Sequence, residues 1–118
     1  TGLRTEEWIE HWFHHFSIDM AHAPAAVETI ISKAIDLIDA HGEAMEGVEH
    51  AMDLCRDQNL ALGLATSSPL SLVKVVLEKL GLQTVFDAIT SAEHLPFGKP
   101  NPQVYINCAE ALQISPVA

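Results

Sequence analysis

Basic residues are scarce in this chain. Six Lys and Arg stand against sixteen Asp and Glu among 118 residues, which gives a formal net charge of -10. Nucleic acids and anionic membrane surfaces attract basic patches, so this balance argues against both as partners. Any phosphate group that the protein binds would have to be met by a few local donors and cations.

Cysteines are few, and long hydrophobic runs are missing. Cys55 and Cys108 lie far apart and lack the C-x-x-C spacing of redox or metal motifs, so we interpret them as buried thiols in a reducing compartment. No apolar run approaches the roughly 20 residues of a membrane span, and no basic and then apolar segment opens the chain as in a secretory signal. These absences predict a cytoplasmic protein.

Hydrophobic residues, at 48%, are numerous enough to build a core for one domain or two small ones. Apolar residues at helical spacing predict one helix that begins with Thr5 as its N-cap and a second from about Pro24 to Gly42. Together they would form a helical hairpin over residues 1–41. The apolar stripe of the first helix is expected to pack in the core, and it consists of Trp8, Ile9, Trp12, Phe13 and Phe16. The alternative for its two tryptophans is a wall on which a sugar stacks.

From Val48 onward, helical patterns alternate with short apolar runs. Helices are predicted from Val48 to Asp57, from Pro69 to Leu80 and from about Pro102 to Leu112, and strands within "NLALGLATSS" and "TVFDAITSAE". This alternation is typical of βαβ units with a parallel sheet, in which ligands bind at the carboxyl ends of the strands. The loops "ATSSP" and "EHLPFGKPNP" lie there, and prolines restrict the backbone that carries Lys99.

Two of these segments resemble motifs of a known family. "LALGLATSSP" and "GKPNPQVY" are similar, in order, spacing and placement, to motifs II and III of the haloacid-dehalogenase-like hydrolases. "TSAEHLPFGKPNPQVY" resembles more narrowly the sugar-phosphate phosphatase and β-phosphoglucomutase subgroup, above all bacterial hexitol or 2-deoxyglucose-6-phosphate phosphatases. The resemblance implies an α/β, Rossmann-like core with a helical cap: cap 1–41, hinge 42–47 and partial core 48–118. Glu46 departs from the proline that many relatives have in the hinge.

The resemblance also implies roles for individual residues. The Thr66 hydroxyl and the Ser67 amide would bind the transferring phosphoryl group, and Lys99 would neutralise the charge that this group shares with a nucleophilic aspartate. Arg4 would lie in the specificity loop of the cap. Apart from the resemblance, His94 is a candidate for a contact with substrate because it lies next to the Lys99 loop. The residues alone leave simpler alternatives: a loop lysine at position 99, a helix cap at Thr66 and Ser67, and a surface arginine at position 4.

The implied reaction is Mg2+-dependent hydrolysis of small phosphorylated sugars or sugar alcohols through an aspartyl phosphate. The D-x-D motif, which carries the nucleophile, is expected before Thr1. The acidic motif that completes the metal site is expected after Ala118. This segment alone is therefore expected to be inactive, to contain no metal ligands and to have an unpaired strand edge open to self-association. The alternatives are a phosphomutase of the same family and a non-catalytic phosphate-binding or interaction module.

Histidines invite a separate metal hypothesis. His11, His14 and His15 have the helical spacing to share a cation. The apolar stripe occupies the same helix, so we favour a solvated face for these side chains.

Overall fold

The computed structural model describes residues 2–116, so Thr1, Val117 and Ala118, at the ends of the two predicted domains, lie outside the described residues. Each predicted helix and strand is present, and the alternation of helices with parallel strands confirms the predicted α/β class. The elements in chain order are α1 (Thr5–His15), a 3-10 turn η1 (Met20–His22), α2 (Ala23–His41), α3 (Val48–Asp57), β1 (Gly63–Thr66), α4 (Leu70–Leu80), β2 (Ala88–Ser91) and α5 (Gln103–Ala111).

The sheet and two helices form the α/β part of the fold. β1 and β2 pair in parallel, in a register that runs from Gly63 opposite Ala88 to Thr66 opposite Ser91. α4 connects the strands, and α5 packs against both of them. The sheet has two strands within residues 2–116, so each strand has an edge without a strand partner there. The buried hydrophobic residues of this part are Val73, Leu77, Ala88, Ala92, Val104 and Cys108.

The helical hairpin, α1 and α2, packs on the α/β part through α4. Lys79 near the end of α4 donates from its Nζ to the backbone oxygen of Asp39 at 2.5 Å. Within the hairpin, Ile9 of α1 and Ala23 of α2 are buried. No helix among the described residues has both the length and the apolar character that crossing a bilayer requires.

The predicted core packing of the α1 stripe is wrong for most of its residues. Ile9 is 5% exposed, but Trp8, Trp12 and Phe16 are 46%, 38% and 63% exposed. The stripe is wider than the surface that α2 and η1 cover. Two of its exposed members pack on each other instead. The Trp12 and Phe16 rings stack with their centroids 5.6 Å apart.

The start of α1 also corrects a prediction. Thr5 is the first helical residue, and Arg4 takes the N-cap position with an extended backbone. The Glu7 carboxylate accepts a hydrogen bond from the Arg4 backbone N–H at 2.8 Å. An acidic side chain in the first turn therefore closes the helix end, as in half of a capping box.

Gly81 ends α4 in the left-handed conformation, with φ 68°. The N–H groups of Gly81 and Leu82 satisfy the last carbonyls of the helix, at Glu78 and Leu77. A Cβ at position 81 would meet no atom within 4 Å, so a side chain there costs backbone strain alone. We expect Gly81→Ala to lower the free energy of unfolding by about 1–2 kcal/mol.

Urea unfolding of the whole protein would measure this loss. Gly81→Asn is the matched control, because asparagine tolerates the left-handed region better and should cost less. Equal stability of the alanine and asparagine variants would contradict the explanation.

Candidate active site

The loops that follow β1 and β2 meet at the carboxyl end of the sheet. The Ala92 N–H donates to the backbone oxygen of Thr66 at 2.8 Å, which extends the pairing by one residue. The Ser91 hydroxyl donates to the backbone oxygen of Ser68 at 2.6 Å. The Glu93 carboxylate accepts from the Leu70 N–H at 3.0 Å. These contacts bring the two loops predicted from sequence to one place.

Lys99 reaches across this junction to the end of β1. Its Nζ donates to the backbone oxygen of Ala65 at 3.0 Å, and its backbone N–H donates to the Ser67 hydroxyl at 3.3 Å. The same Nζ lies 4.8 Å from the centroid of the Tyr105 ring. Lys99 therefore contacts the residues on both sides of Thr66. An ammonium group has three donors, and the contact with Ala65 uses one of them.

Thr66 and Ser67 lie in the turn between β1 and α4. The Thr66 Oγ1 accepts from the Ser68 N–H at 3.0 Å, which leaves its own O–H to donate elsewhere. Neither side chain caps α4, because Pro69 is the N-cap residue. The first N–H group of the helix, that of Leu70, donates a hydrogen bond to the Glu93 carboxylate. This arrangement places a hydroxyl, the amino end of a helix and an ammonium side by side, a combination suited to a phosphate group.

Arg4 is not a surface arginine, since its side chain is only 15% exposed. Its Nη1 donates to the backbone oxygens of Leu95 and, at 3.3 Å, Ala92; its Nη2 donates to that of Pro96 at 3.2 Å. Its Nε is buried without a hydrogen-bond partner. The guanidinium thus lies against the loop that leads to Lys99, and its predicted contact with substrate stays a prediction.

His94 lies at the rim of the same region. Its side chain is 87% exposed, and its Nε2 is 3.9 Å from a carboxylate oxygen of Glu93. Its predicted contact with substrate likewise stays a prediction. The structure brings Thr66, Ser67 and Lys99 together, and it holds Arg4 to the Lys99 loop by hydrogen bonds.

Comparison with known proteins identifies the family of the chain. The family model described as haloacid dehalogenase-like hydrolase matches residues 5–118. The chain belongs to this family. This match confirms the family that motifs II and III indicated.

Three relatives show where in the family the similarity lies. Hexitol phosphatase B of Escherichia coli (strain K12) is 38% identical over 116 residues, which is 98% of this chain and 52% of that protein. A phosphorylated carbohydrates phosphatase of Thermotoga maritima is 31% identical over 70 residues, which is 59% of this chain and 32% of that protein. The β-phosphoglucomutase structure from Clostridium difficile shares the fold, with a TM-score of 0.84 at 21% identity, over 98% of this chain and 53% of that one. This chain thus spans about half the length of hexitol phosphatase B.

Sequence reasoning missed several residues of the candidate site. Glu7 could have been found, because an acidic residue two positions into a helix is a capping signal. Ser91 and Glu93, which tie the second loop to the first, have no such local signal. Tyr105 is part of the "NPQVY" segment, but its contact with the Lys99 ammonium depends on how the loop folds back.

Magnesium, which the family implies, finds no ligand set among the described residues. Within residues 2–116 there is no group of three or more His, Cys, Asp or Glu side chains placed to hold a metal ion. His11, His14 and His15 are exposed along α1 and form no such group.

Glu7 titrates at a lower pH than a free glutamate. The hydrogen bond from the Arg4 side chain holds the pKa of Glu7 below its usual value of 4.5, and the Arg4 and Gly98 backbone amides lower this pKa further. Partial burial works in the opposite direction but does not prevail. Because the folded pKa lies below the unfolded one, Glu7 stabilises the fold above pH 4.5, and this contribution is lost as the pH falls through the folded pKa.

We expect the melting temperature of wild type to exceed that of Glu7→Gln near neutral pH, with the difference shrinking as the pH falls below 4.5. Thermal unfolding of both proteins across this range would measure it. Glu6→Gln is the matched control, since Glu6 lies in the same first turn and shares the interaction with the helix dipole. A difference for Glu7→Gln that does not change with pH would contradict this explanation.

Proposed function

We propose that the whole protein hydrolyses phosphate monoesters of small sugars or sugar alcohols. The observation that supports this most is the placement of Lys99, whose Nζ lies at the end of β1 on Ala65 while its backbone contacts Ser67. In a protein with a net charge of -10, a cation held at this point provides local compensation for a phosphate. The family and the names of its relatives support the same substrate class.

The proposed mechanism has two displacements at phosphorus. An aspartate outside the described residues attacks the phosphorus atom, and the bond from phosphorus to the sugar oxygen breaks. A second aspartate, also outside the described residues, donates a proton to the sugar oxygen as general acid. This second aspartate then accepts a proton from the water that attacks the aspartyl phosphate, which releases inorganic phosphate and restores the first carboxylate. In both steps the Lys99 ammonium neutralises charge on the phosphoryl oxygens, while the Thr66 O–H and the Ser67 N–H donate hydrogen bonds to them.

The remaining parts of the proposal concern the whole protein. We propose Mg2+ as its cofactor, with ligands outside the described residues, and the cytoplasm as its compartment. Residues 1–41 would act as a cap, residues 42–47 as a hinge and residues 48–118 as part of the catalytic core. Arg4 and His94 would contribute to substrate choice.

Product analysis with a panel of phosphorylated sugars and sugar alcohols tests this function. We expect release of inorganic phosphate in the presence of Mg2+. Conversion of a hexose 1-phosphate into its 6-phosphate without release would instead establish a phosphomutase. Binding of the esters with no turnover of any would favour a non-catalytic phosphate-binding module.

A further inference from the structure

We propose that Arg4 and Glu7 are positioning residues, which together hold residues 92–98 in the conformation that presents Lys99. The activity part of this inference rests on the function proposed above. Its structural part rests on contacts between the amino end of α1 and a loop about 90 residues later in the chain.

The Arg4 guanidinium gathers three carbonyl groups of one short loop. Its Nη1 and Nη2 donate to the backbone oxygens of Ala92, Leu95 and Pro96. These carbonyls converge on a single planar cation whose donors have a fixed geometry. A lysine carries its three donors on a single atom, so it lacks the planar spread of the guanidinium and would not hold three carbonyls in the same way. The guanidinium therefore defines the path of the loop from the end of β2 to Pro96.

Glu7 extends this hold to the residue next to Lys99. Its Oε1 accepts from Arg4 Nη2 at 2.8 Å and from the Gly98 N–H at 3.3 Å, while its Oε2 accepts from the Arg4 backbone N–H at 2.8 Å. The Arg4 and Glu7 side chains are 15% and 26% exposed, so water screens this pair less than a surface ion pair. Glu7 thus fixes the guanidinium and the loop at the same time.

Close packing accompanies the hydrogen bonds. Gly98 is buried, and a Cβ at its position would lie 3.0 Å from both Arg4 Cγ and Glu7 Oε2. A Cβ on Gly2 would lie 3.2 Å from Lys99 Cβ. At both glycines, an added Cβ would therefore require the neighbouring side chain to shift. The segment that begins α1 therefore packs directly on the loop that ends in Lys99.

Lys99 is consequently held from two directions. On one side its own atoms contact Ala65 and Ser67. On the other side, the N–H of the preceding residue, Gly98, donates a hydrogen bond to the Glu7 carboxylate. Loss of the second contact would let the loop move while leaving the phosphate-binding residues themselves unchanged.

Amide hydrogen exchange of the whole protein tests the structural part, without reference to activity. We expect Glu7→Ala to raise exchange in the loop of residues 95–99 by about tenfold, which corresponds to about 1.4 kcal/mol of local opening. Glu7→Gln should have a smaller effect, because an amide oxygen can still accept from Gly98. Glu6→Gln, on the same turn, is the control and should leave the loop unchanged.

Steady-state kinetics tests the activity part. We expect Glu7→Ala to lower kcat on a sugar phosphate by about tenfold to a hundredfold, with a smaller change in KM, because a misplaced Lys99 stabilises the transition state less. Glu7→Gln should recover part of the loss. Gly98→Ala, which crowds Arg4 and Glu7 without removing a charge, should give the same pattern in both measurements.

Two results would overturn the proposal. One is loop exchange in Glu7→Ala and Gly98→Ala that matches the Glu6→Gln control. The other is an increase in exchange that is equal across the whole chain, which would show a general loss of stability and no role in placing the loop. Should wild type hydrolyse no phosphate ester, the function fails, and the exchange data still decide whether Arg4 and Glu7 hold the loop.

Discussion

Lys99→Ala is expected to lower kcat of the whole protein on a phosphorylated sugar by about a hundredfold to a thousandfold. The ammonium is held at the end of β1 by the backbone oxygen of Ala65 and lies over the Tyr105 ring, so it is in place before substrate binds. Alanine at position 99 removes that charge and leaves the phosphoryl oxygens to the neutral donors of Thr66 and Ser67. Initial rates of phosphate release would measure the loss.

Lys74→Ala is the matched control for this substitution. Lys74 lies on α4 with 76% of its side chain exposed, and its nearest acidic partner, Glu78, is 3.9 Å away. Removing it changes the net charge by the same amount, but we expect the rate to change less than about twofold, because an exposed pair contributes little. Wild-type activity in a folded Lys99→Ala protein would contradict the role proposed for Lys99.

Gly63→Ala is expected to lower the free energy of unfolding by about 1–3 kcal/mol. A Cβ on Gly63, the first residue of β1, would lie 2.5 Å from the Sγ of Cys108 and 2.9 Å from Cδ1 of Leu112. Both side chains would have to move, and Cys108 is buried. Denaturant unfolding of the whole protein would give the difference.

A double-mutant cycle isolates the cause. Cys108→Ala removes the sulfur atom that the new methyl group would meet, so Gly63→Ala should cost less in that background than in wild type. We expect a favourable coupling of about 1–2 kcal/mol between the two substitutions. Strict additivity of the two losses would show that the contact with Cys108 does not explain why glycine is needed there.

Features that depend on short stretches of sequence could be predicted well. Val48–Asp57 and the end of α4 at Gly81 follow from local periodicity and from glycine, and the structure has them at the predicted residues. The meeting of the two loops could also be predicted, because parallel strands bring their carboxyl ends to the same edge. Motif order then placed Lys99 near Thr66.

Features that depend on a partner surface could not be predicted in the same way. The spacing of Trp8, Trp12 and Phe16 indicates a common helix face, but it does not say how much of that face a neighbour covers. The hydrogen bonds of Arg4 and Glu7 to residues 92–98 depend on the tertiary path of a loop far along the chain. Nothing in the local pattern around either residue specifies those partners.

The contacts of Arg4 and Glu7 also limit how freely this protein can be recombined with its relatives. A chimera that took its helical hairpin from a relative without Arg4 and Glu7 would lose the two side chains that form hydrogen bonds with residues 92–98. The hairpin and the Lys99 loop therefore depend on each other, although α3, β1, α4 and β2 lie between them in the chain. Grafts that change substrate preference should carry both segments or retain Arg4 and Glu7.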